Sequence, residues 1–498
     1  MIAPSPEALP GETDRTRIER LLVAAAGASR PWGDAPPSSR AKALRAAAEA
    51  LDESRGQLVR LADEETHLGE QRLNSELSRT TFQLRFFAEV LDEGAYVGAT
   101  IDHQKEAGPI GPTPDLRRLL HPLGPVVVFA ASNFPFAFST AGGDTASALG
   151  AGCPVLLKVH PGHPRLAVAT GKVLSNALSS AGAPDGTFAI FLGDEAGRTI
   201  ITDPRIAAGT FTGSIAGGRA LFDLASSRPI PIPFYAELGS VNPVFVTEEA
   251  LRNHRGEILK GYLASFTQGV GQFCTKPGLL IVPEGAGAVE ELTGMVSAMA
   301  SARLLNDRIA GRYARVLKDL SAIEEMTVAY RGGGIPSAPE PTLLTSSTSA
   351  MILNHEKLLQ ECFGPASIVV TYAERAEMLD LAEVLDGQLT ATIWAEGDEE
   401  GLSELCQILR DRVGRLIFNG WPTGVAVTWA TQHGGPYPAA TSSLYTSVGA
   451  SAINRFLRPI AYQSFPDTLL PAALRESNPL GLPRRVDGLS QFGTARLK

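Results

Sequence analysis

The stretches GPVVVFAASNFP (124–135) and CPVLLKVHPGHP (153–164) decide how this chain folds. Each holds a short run of apolar residues framed by Gly and Pro, too short for a helix and apolar without alternation. Such a run reads as a strand buried on both faces. Ser139–Gly150 between them reads as a helix of small residues. Pro164–Ala181 reads as a longer helix, with Leu166, Ala169, Val173, Leu174, Ala177 and Leu178 on its apolar face. Pro164 suits its first turn and Gly182 sits just past its end. Strands at Thr187–Phe191 and Ala207–Thr212, a helix at Ser214–Ala225 and a strand at Pro233–Glu237 continue the alternation. Strand, helix, strand in this order predicts an α/β domain: an open, mostly parallel, Rossmann-like sheet with helices on both faces.

Upstream, the first fourteen residues are rich in Pro and Glu and read as a loose arm. A helix capped by Ser38 or Ser39 follows, with Leu44, Ala47, Ala48 and Leu51 on one face. Another runs from Leu77 to Leu91, with Phe82, Phe86, Phe87 and Val90 at core spacing. The turn-rich KEAGPIGPTP (105–114) separates strands at Tyr96–His103 and Leu116–His121, which suggests a hairpin arm. Downstream of Pro243, helices at Glu257–Phe266 and Val289–Ala302 alternate with strands at Gly278–Val282, Ser367–Thr371, Ala391–Trp394 and Arg415–Asn419. This is a second α/β unit. The tail from Trp421 reads as irregular chain with a strand at Phe456–Tyr462. The expected domains are a cofactor-binding unit (1–104 and 122–242), a catalytic unit (243–430), and a small β oligomerisation arm (105–121 with part of 450–498).

With 498 residues the chain exceeds one hydrophobic core, and its net charge of -9 gives nucleic acid or an anionic membrane no electrostatic hold. No apolar run reaches the roughly 18 residues that span a bilayer. The N-terminus lacks the basic and apolar regions of a signal peptide. A cytoplasmic location is expected. The four cysteines, Cys153, Cys274, Cys362 and Cys406, form no CxxC pair, so neither a disulfide framework nor a zinc knuckle is expected.

Cys274 stands apart. In GVGQFCTKPG (269–278) it sits on a loop between helix and strand, and Gly269, Gly271 and Gly278 let backbone approach a ligand. A thiol beside backbone N–H groups can be activated as a nucleophile. In AELGSVNP (236–243), Glu237 closes an apolar strand and would point into the crevice at the strand's C-terminal end. Burial would raise its pKa and make it a general base. Asn133 also follows a strand end, where its amide can hold an oxyanion. Gly213 and Ser214, in FTGS (211–214), form a strand-to-helix turn whose free N–H groups suit a pyrophosphate.

Read in order, SNFP, LLK with HPGHP, FTGS, ELGSVNP, GQFC and ECFGP resemble the blocks of the aldehyde dehydrogenase superfamily from about Gly124 to Pro365. The resemblance implies that Cys274 is the nucleophile, Glu237 the base and Asn133 the oxyanion holder. It implies further that Lys158 binds the adenosine ribose, Gly213 and Ser214 the pyrophosphate, and Glu361 and Phe363 the nicotinamide ribose and ring. NAD-preferring members commonly carry a glutamate three residues after the lysine; Pro161 stands there, and His160, His163 and Arg198 offer positive charge. NADP is therefore the expected cofactor, with NAD second. Within the superfamily the chain is most similar to the α-ketoglutaric semialdehyde dehydrogenases, through FYAELGSVNPVFV, GQFCTKPGLLIVP and the tail from HGGPYP onward. NADP-linked fatty or other aliphatic aldehyde dehydrogenases are the alternative. In that branch the HGGP histidine lies near the active site, so His433 is a candidate pocket or acid–base residue; Phe138 is a second pocket candidate. A homodimer or homotetramer is expected, and no metal. A CoA-acylating enzyme would lack Glu237. A catalytically silent nucleotide-binding protein would have lost Cys274, Glu237 or Asn133.

Overall fold

The computed structural model describes residues 11–397 and 399–493. Its first sheet has five parallel strands, ordered Phe188–Phe191, Val155–Lys158, Val126–Phe129, Ala208–Thr212 and Phe234–Glu237. The chain starts at the central strand, builds one way, then returns to build the other. The topological switch therefore lies between Val126–Phe129 and Ala208–Thr212, and the crevice outside their carboxyl ends is where this class of sheet binds ligands. Both strands are covered on two faces, as the unbroken VVVF run of the first requires. Helices Pro37–Glu53, Glu70–Glu93, Gly143–Ala151 and Pro164–Ser180 supply the core on one side. Helices Arg15–Gly33, Asp194–Thr202 and Ile215–Ser226 supply it on the other.

The second sheet has seven strands, ordered Thr327–Tyr330, Thr342–Ser347, Ala366–Tyr372, Leu279–Pro283, Pro243–Val246, Gln388–Trp394 and Val413–Phe418. The pairings are parallel except at Thr327–Tyr330. The crossing between the two sheets is only 238–242, and every residue in it is buried. Gln388 Oε1 accepts the Ser240 hydroxyl (2.9 Å), the Val241 N–H (2.8 Å) and the Asn242 N–H (3.3 Å). A third sheet joins Leu457–Gln463, Leu116–Pro122, Thr100–Asp102, Arg484–Val486 and Leu489–Gln491.

Several expectations shift. The helix expected from Ser38 or Ser39 starts at Pro37 with no side-chain cap; Pro37 itself, with φ already helical, sets its first turn. Phe82 is exposed although Phe86, Phe87 and Val90 are core. The helix expected to reach Ala302 ends at Ser297. The arm sheet includes Thr100–Asp102, inside the segment assigned to the cofactor-binding unit, because that strand pairs with both Leu116–Pro122 and Arg484–Val486. Of the expected N-terminal arm, residues 1–10 lie outside the described residues. Asp14 is already a helix cap, accepting the Arg17 N–H at 2.8 Å. Strands Thr327–Tyr330 and Thr342–Ser347 were not read, since Thr and Ser break their apolar run.

Candidate active site

Cys274 lies on the turn after Glu248–Thr267, and the turn's shape is imposed by glycine. Gly271 has φ +67°, and a Cβ there would sit 2.1 Å from the Gly364 carbonyl oxygen. The turn is then pinned from two directions. Asn242, itself at φ +46°, donates to the carbonyls of Cys274 (2.8 Å) and Lys276 (2.9 Å). Lys276 is buried and donates to the carbonyls of Cys362 (2.7 Å), Gly364 (3.3 Å) and Ala366 (2.7 Å). Burial holds its pKa below the usual lysine value. The ECFGP segment is thereby tied to the nucleophile turn.

Glu237 ends its strand facing the thiol. The tail runs along the edge of the same strand: Glu237 bridges Ala440, and the Leu238 N–H donates to Ala439 at 2.8 Å. This pairing brings in His433 from 196 residues away, with Nε2 2.8 Å from Glu237 Oε1. The same nitrogen is 3.6 Å from Cys274 Sγ. A carboxylate at that distance requires Nε2 to carry a proton. The Ser447 hydroxyl donates to Glu237 Oε2 at 2.6 Å. Burial pushes the Glu237 carboxyl up. His433, the Ser447 hydroxyl and the Cys274 thiol outweigh it and bring the pKa down to about 2. This corrects the expectation that burial would leave Glu237 raised: its partners decide, not its desolvation. Burial, then the negative Glu237, push the Cys274 thiol well above its ordinary range. The resting site is thus a thiol facing an ionised carboxylate. The donor atoms of Cys274, Glu237 and His433 lie within 4.8 Å of one another; the contacts just described account for that proximity.

Asn133 follows the central strand and turns its Nδ2 to the Gln272 carbonyl at 3.1 Å, two residues from the nucleophile. Three residues of the Glu70–Glu93 helix hold its loop. Arg72 donates to the Asn133 carbonyl at 2.8 Å and lies 5.3 and 5.2 Å from the ring centroids of Phe134 and Phe273. Glu76 accepts the N–H groups of Phe136 (2.8 Å) and Ala137 (3.0 Å), and burial raises its pKa to about 7. Arg79 lies over the Phe138 ring at 5.8 Å.

A cavity of about 360 Å³ opens at the topological switch, from Lys158 to the thiol. Asn133, Lys158, His160, Arg198, Gly213, Ser214, Cys274, Glu361 and Phe363 all line it. Its donors suit a dinucleotide. Ser214 caps the Ile215–Ser226 helix through the Gly217 N–H, leaving that helix N-terminus against the cavity. Lys158 sits at one end and Glu361 at the other. A Cβ on Gly239 would come within 2.6 Å of Glu361 Oε2, so this glycine of the ELG block makes room for the ECFGP carboxylate. Burial raises Glu361 to about 7. Two details change the expected picture of the adenosine end. Lys158 is paired with Asp194 at 2.7 Å, so an acid does stand beside it. Burial, with the neighbouring His163, Lys158 and Arg308, lowers His160 to about 3, so its ring is neutral rather than a source of positive charge. His163 is buried, its Nε2 bonded to the Ala131 carbonyl at 3.1 Å. Arg308, which the sequence reading missed, lines the cavity from the second α/β unit. Ser447, Asn242, Lys276 and Arg79 were missed too, because only tertiary contacts bring them to the site.

A parallel sheet with its switch-point crevice, a thiol facing an ionised glutamate and an amide beside them define a thiol-dependent dehydrogenase site. The sequence profile of the aldehyde dehydrogenase family matches residues 8–457, and the chain belongs to that family. It oxidises an aldehyde to the acid with NAD(P)+. It is 44% identical over 441 residues to an α-ketoglutaric semialdehyde dehydrogenase of Acinetobacter baylyi, covering 87% of this chain and 83% of that one. It is 40% identical over 497 residues to α-ketoglutaric semialdehyde dehydrogenase 2 of Azospirillum brasilense, covering 97% and 93%. Among solved structures, the NAD+ complex of a Bacillus cereus aldehyde dehydrogenase superposes with TM-score 0.76 at 19% identity over 91% of this chain and 89% of that one. The 1-pyrroline-5-carboxylate dehydrogenase of Thermus with bound NAD gives 0.74 at 21%, over 91% and 86%. At such identity these two establish the fold. Among the described residues no helix is long and apolar enough to cross a membrane.

Proposed function

We propose that the chain oxidises α-ketoglutaric semialdehyde to 2-oxoglutarate through a Cys274 thioester. The observation that carries the chemistry is the contact of Cys274 and Glu237 with one His433 nitrogen, at 3.6 and 2.8 Å. The two relatives at 44% and 40% identity support the substrate. Cys274 gives its proton to Glu237 as sulfur bonds to the aldehyde carbon, and the carbonyl electrons collect on oxygen. Asn133 Nδ2, next to the nucleophile turn, is placed to hold that alkoxide; one such donor lowers the barrier by about 3 kcal/mol. Lys158, Gly213, Ser214, Glu361 and Phe363 would hold a nicotinamide cofactor, which would supply the hydride acceptor; Cys274 then carries the thioester. Once Glu237 has passed the thiol proton on to solvent, it takes a proton from water as the water oxygen bonds to the thioester carbon. The carbon–sulfur bond breaks and Glu237 gives this proton to the leaving sulfur, which restores the thiol. His433 and Ser447 hold Glu237 in place through these proton transfers.

For the cofactor we favour NADP over NAD. Pro161 removes the usual acid, and Arg198 and Arg308 flank the adenosine end, against Asp194 beside Lys158 and Glu12 and Glu195 on the adjoining wall. A homodimeric or homotetrameric, cytoplasmic enzyme completes the reading. The edge strand Val413–Phe418 leaves Leu416 and Phe418 exposed, as the arm leaves Leu489 and Phe492, which suits contact with further copies. The test is reduced-nicotinamide absorbance with NAD and NADP on α-ketoglutaric semialdehyde, succinic semialdehyde and a medium-chain aliphatic aldehyde. The first substrate should give the highest kcat/KM; a preference for the aliphatic aldehyde overturns the substrate.

A further inference from the structure

Arg79 and Arg415 approach the nucleophile from different units. Arg79 lies on Glu70–Glu93, three residues after the Glu76 that holds the Asn133 loop. Arg415 lies on the edge strand of the second sheet. Both fasten to one short segment. Arg79 Nη1 donates to the Val425 carbonyl. Arg415 donates to Gly424 O through Nη1 and Nη2 (3.1 Å each) and to Pro422 O through Nη2 (2.6 Å). The Gly424 N–H donates to the Thr275 hydroxyl at 3.2 Å, so this segment rests on the residue next to Cys274.

Neither guanidinium has a carboxylate within 4 Å among the described residues, and neither does Arg72. More telling is which nitrogens are left over. Arg79 Nε and Nη2 are both buried and unbonded, as is Arg415 Nε. Nε and Nη2 together form the side edge of a guanidinium, whose two parallel N–H groups match the two oxygens of a carboxylate. A buried cationic edge without a partner is costly, and leaving both N–H groups idle has no structural benefit. The charge of Arg79 is felt at Cys274 and Glu237, and that of Arg415 at Cys274, which puts both within electrostatic reach of the reacting end. The Phe138 ring beneath Arg79 closes the apolar side of the same region.

Resting on the substrate reading above, we infer that the Nε/Nη2 edge of Arg79, backed by Arg415, receives the distal carboxylate of a short dicarboxylic semialdehyde. That edge has no contact with bulk water in the ligand-free chain. The carboxylate reaches it by displacing the side chains around it, and the 422–425 segment, held by both arginines, is what then shifts. Recognition is thereby coupled to Thr275 and the nucleophile turn. Glu76, one helical turn away, is the competing partner for Arg79, and the test separates the two.

The experiment compares kcat/KM for α-ketoglutaric semialdehyde, for 5-oxopentanoate, which keeps the distal carboxylate without the keto group, and for pentanal, which has the same chain length with neither, in wild type, Arg79→Gln and Arg79→Lys. Wild type should favour either acid over pentanal. Arg79→Gln should cut that preference by roughly 30-fold or more, mainly through KM for the acid, as expected when a buried charge loses its hydrogen-bonded partner. Arg79→Lys keeps a cation but no two-point edge, and should lose about tenfold of the preference. If wild type favours the acid and Arg79→Gln leaves the preference within threefold, this assignment fails and the substrate reading stands. If both substrates decline together, Arg79 serves Glu76 and the fold, and the assignment fails. A wild type that favours pentanal removes both. Should Arg79→Gln not fold, an unchanged preference in Arg79→Lys is enough to overturn it.

Discussion

At the thiol end of the cleft, Glu237 and His433 are 3% and 0% exposed and bonded to each other. At the adenosine end, Lys158 is paired with an Asp194 whose side chain is 79% exposed. The first arrangement admits few alternatives, because a buried carboxylate stripped of its partner is expensive. The second is screened by water and salt and can be rebuilt at little cost. Reaction chemistry sits where the structure is over-determined; cofactor choice sits where it is adjustable.

The sharpest way to break this contrast is at the nucleophile. Cys274→Ala should lower kcat by about 10⁴-fold or more while leaving cofactor binding, read by fluorescence titration, nearly unchanged. Loss of both would mean that the two ends are not independent. Next is His433→Gln, which should cost about 100-fold in kcat/KM. It should also move the acid limb of the pH–rate profile upward. His433 holds Glu237 below its ordinary value, so without it Glu237 must be titrated at higher pH before it can act. An acid limb that stays in place would assign His433 a packing role. Smaller still is Asp194→Asn. Removing the acid beside Lys158 should raise the NADP-to-NAD ratio of kcat/KM by roughly three- to tenfold, and the gain should shrink at high salt. The mildest effect is expected from Glu76→Gln. The Glu76 pKa rises from an ordinary 4.5 to about 7 on folding. Its contribution is therefore full below pH 4.5 and is lost as pH climbs through about 7. The variant should gain on wild type over that window, by roughly 3 kcal/mol or about 3 °C in melting temperature. A constant difference at all pH values would show that Glu76 stays ionised.

The same contrast explains what was legible in sequence. Strand ends and glycine turns are local, so Asn133, Glu237 and Gly213 could be placed at the C-terminal edge of an α/β pattern and Cys274 on a glycine-rich turn between helix and strand. Their chemistry was less accessible. Read locally, Glu237 is a buried acid with a raised pKa; its partner His433 lies 196 residues away, and no periodicity connects the two. Read locally, His160 is a source of charge, because its burial is set by packing between the two α/β units. Asp194 is not legible beside Lys158, since it opens a helix 36 residues later. Arg79 was only one of many polar positions on a helix whose register against the Asn133 loop cannot be read from periodicity.

The crossing at 238–242 carries one more consequence. Segments that link domains are commonly exposed and extensible, which lets the two halves swing apart. Here the link is buried, Gln388 takes the N–H groups of Val241 and Asn242, Ala439 takes that of Leu238, and Asn242 at its end grips the carbonyl of Cys274. Rotation about this link would pull the nucleophile out of register with Glu237. Admission and release of the dinucleotide must therefore be carried by side chains at the mouth of the cleft. Grafting another family member's cofactor half onto this chain would succeed only if the five-residue link and Gln388 travelled together.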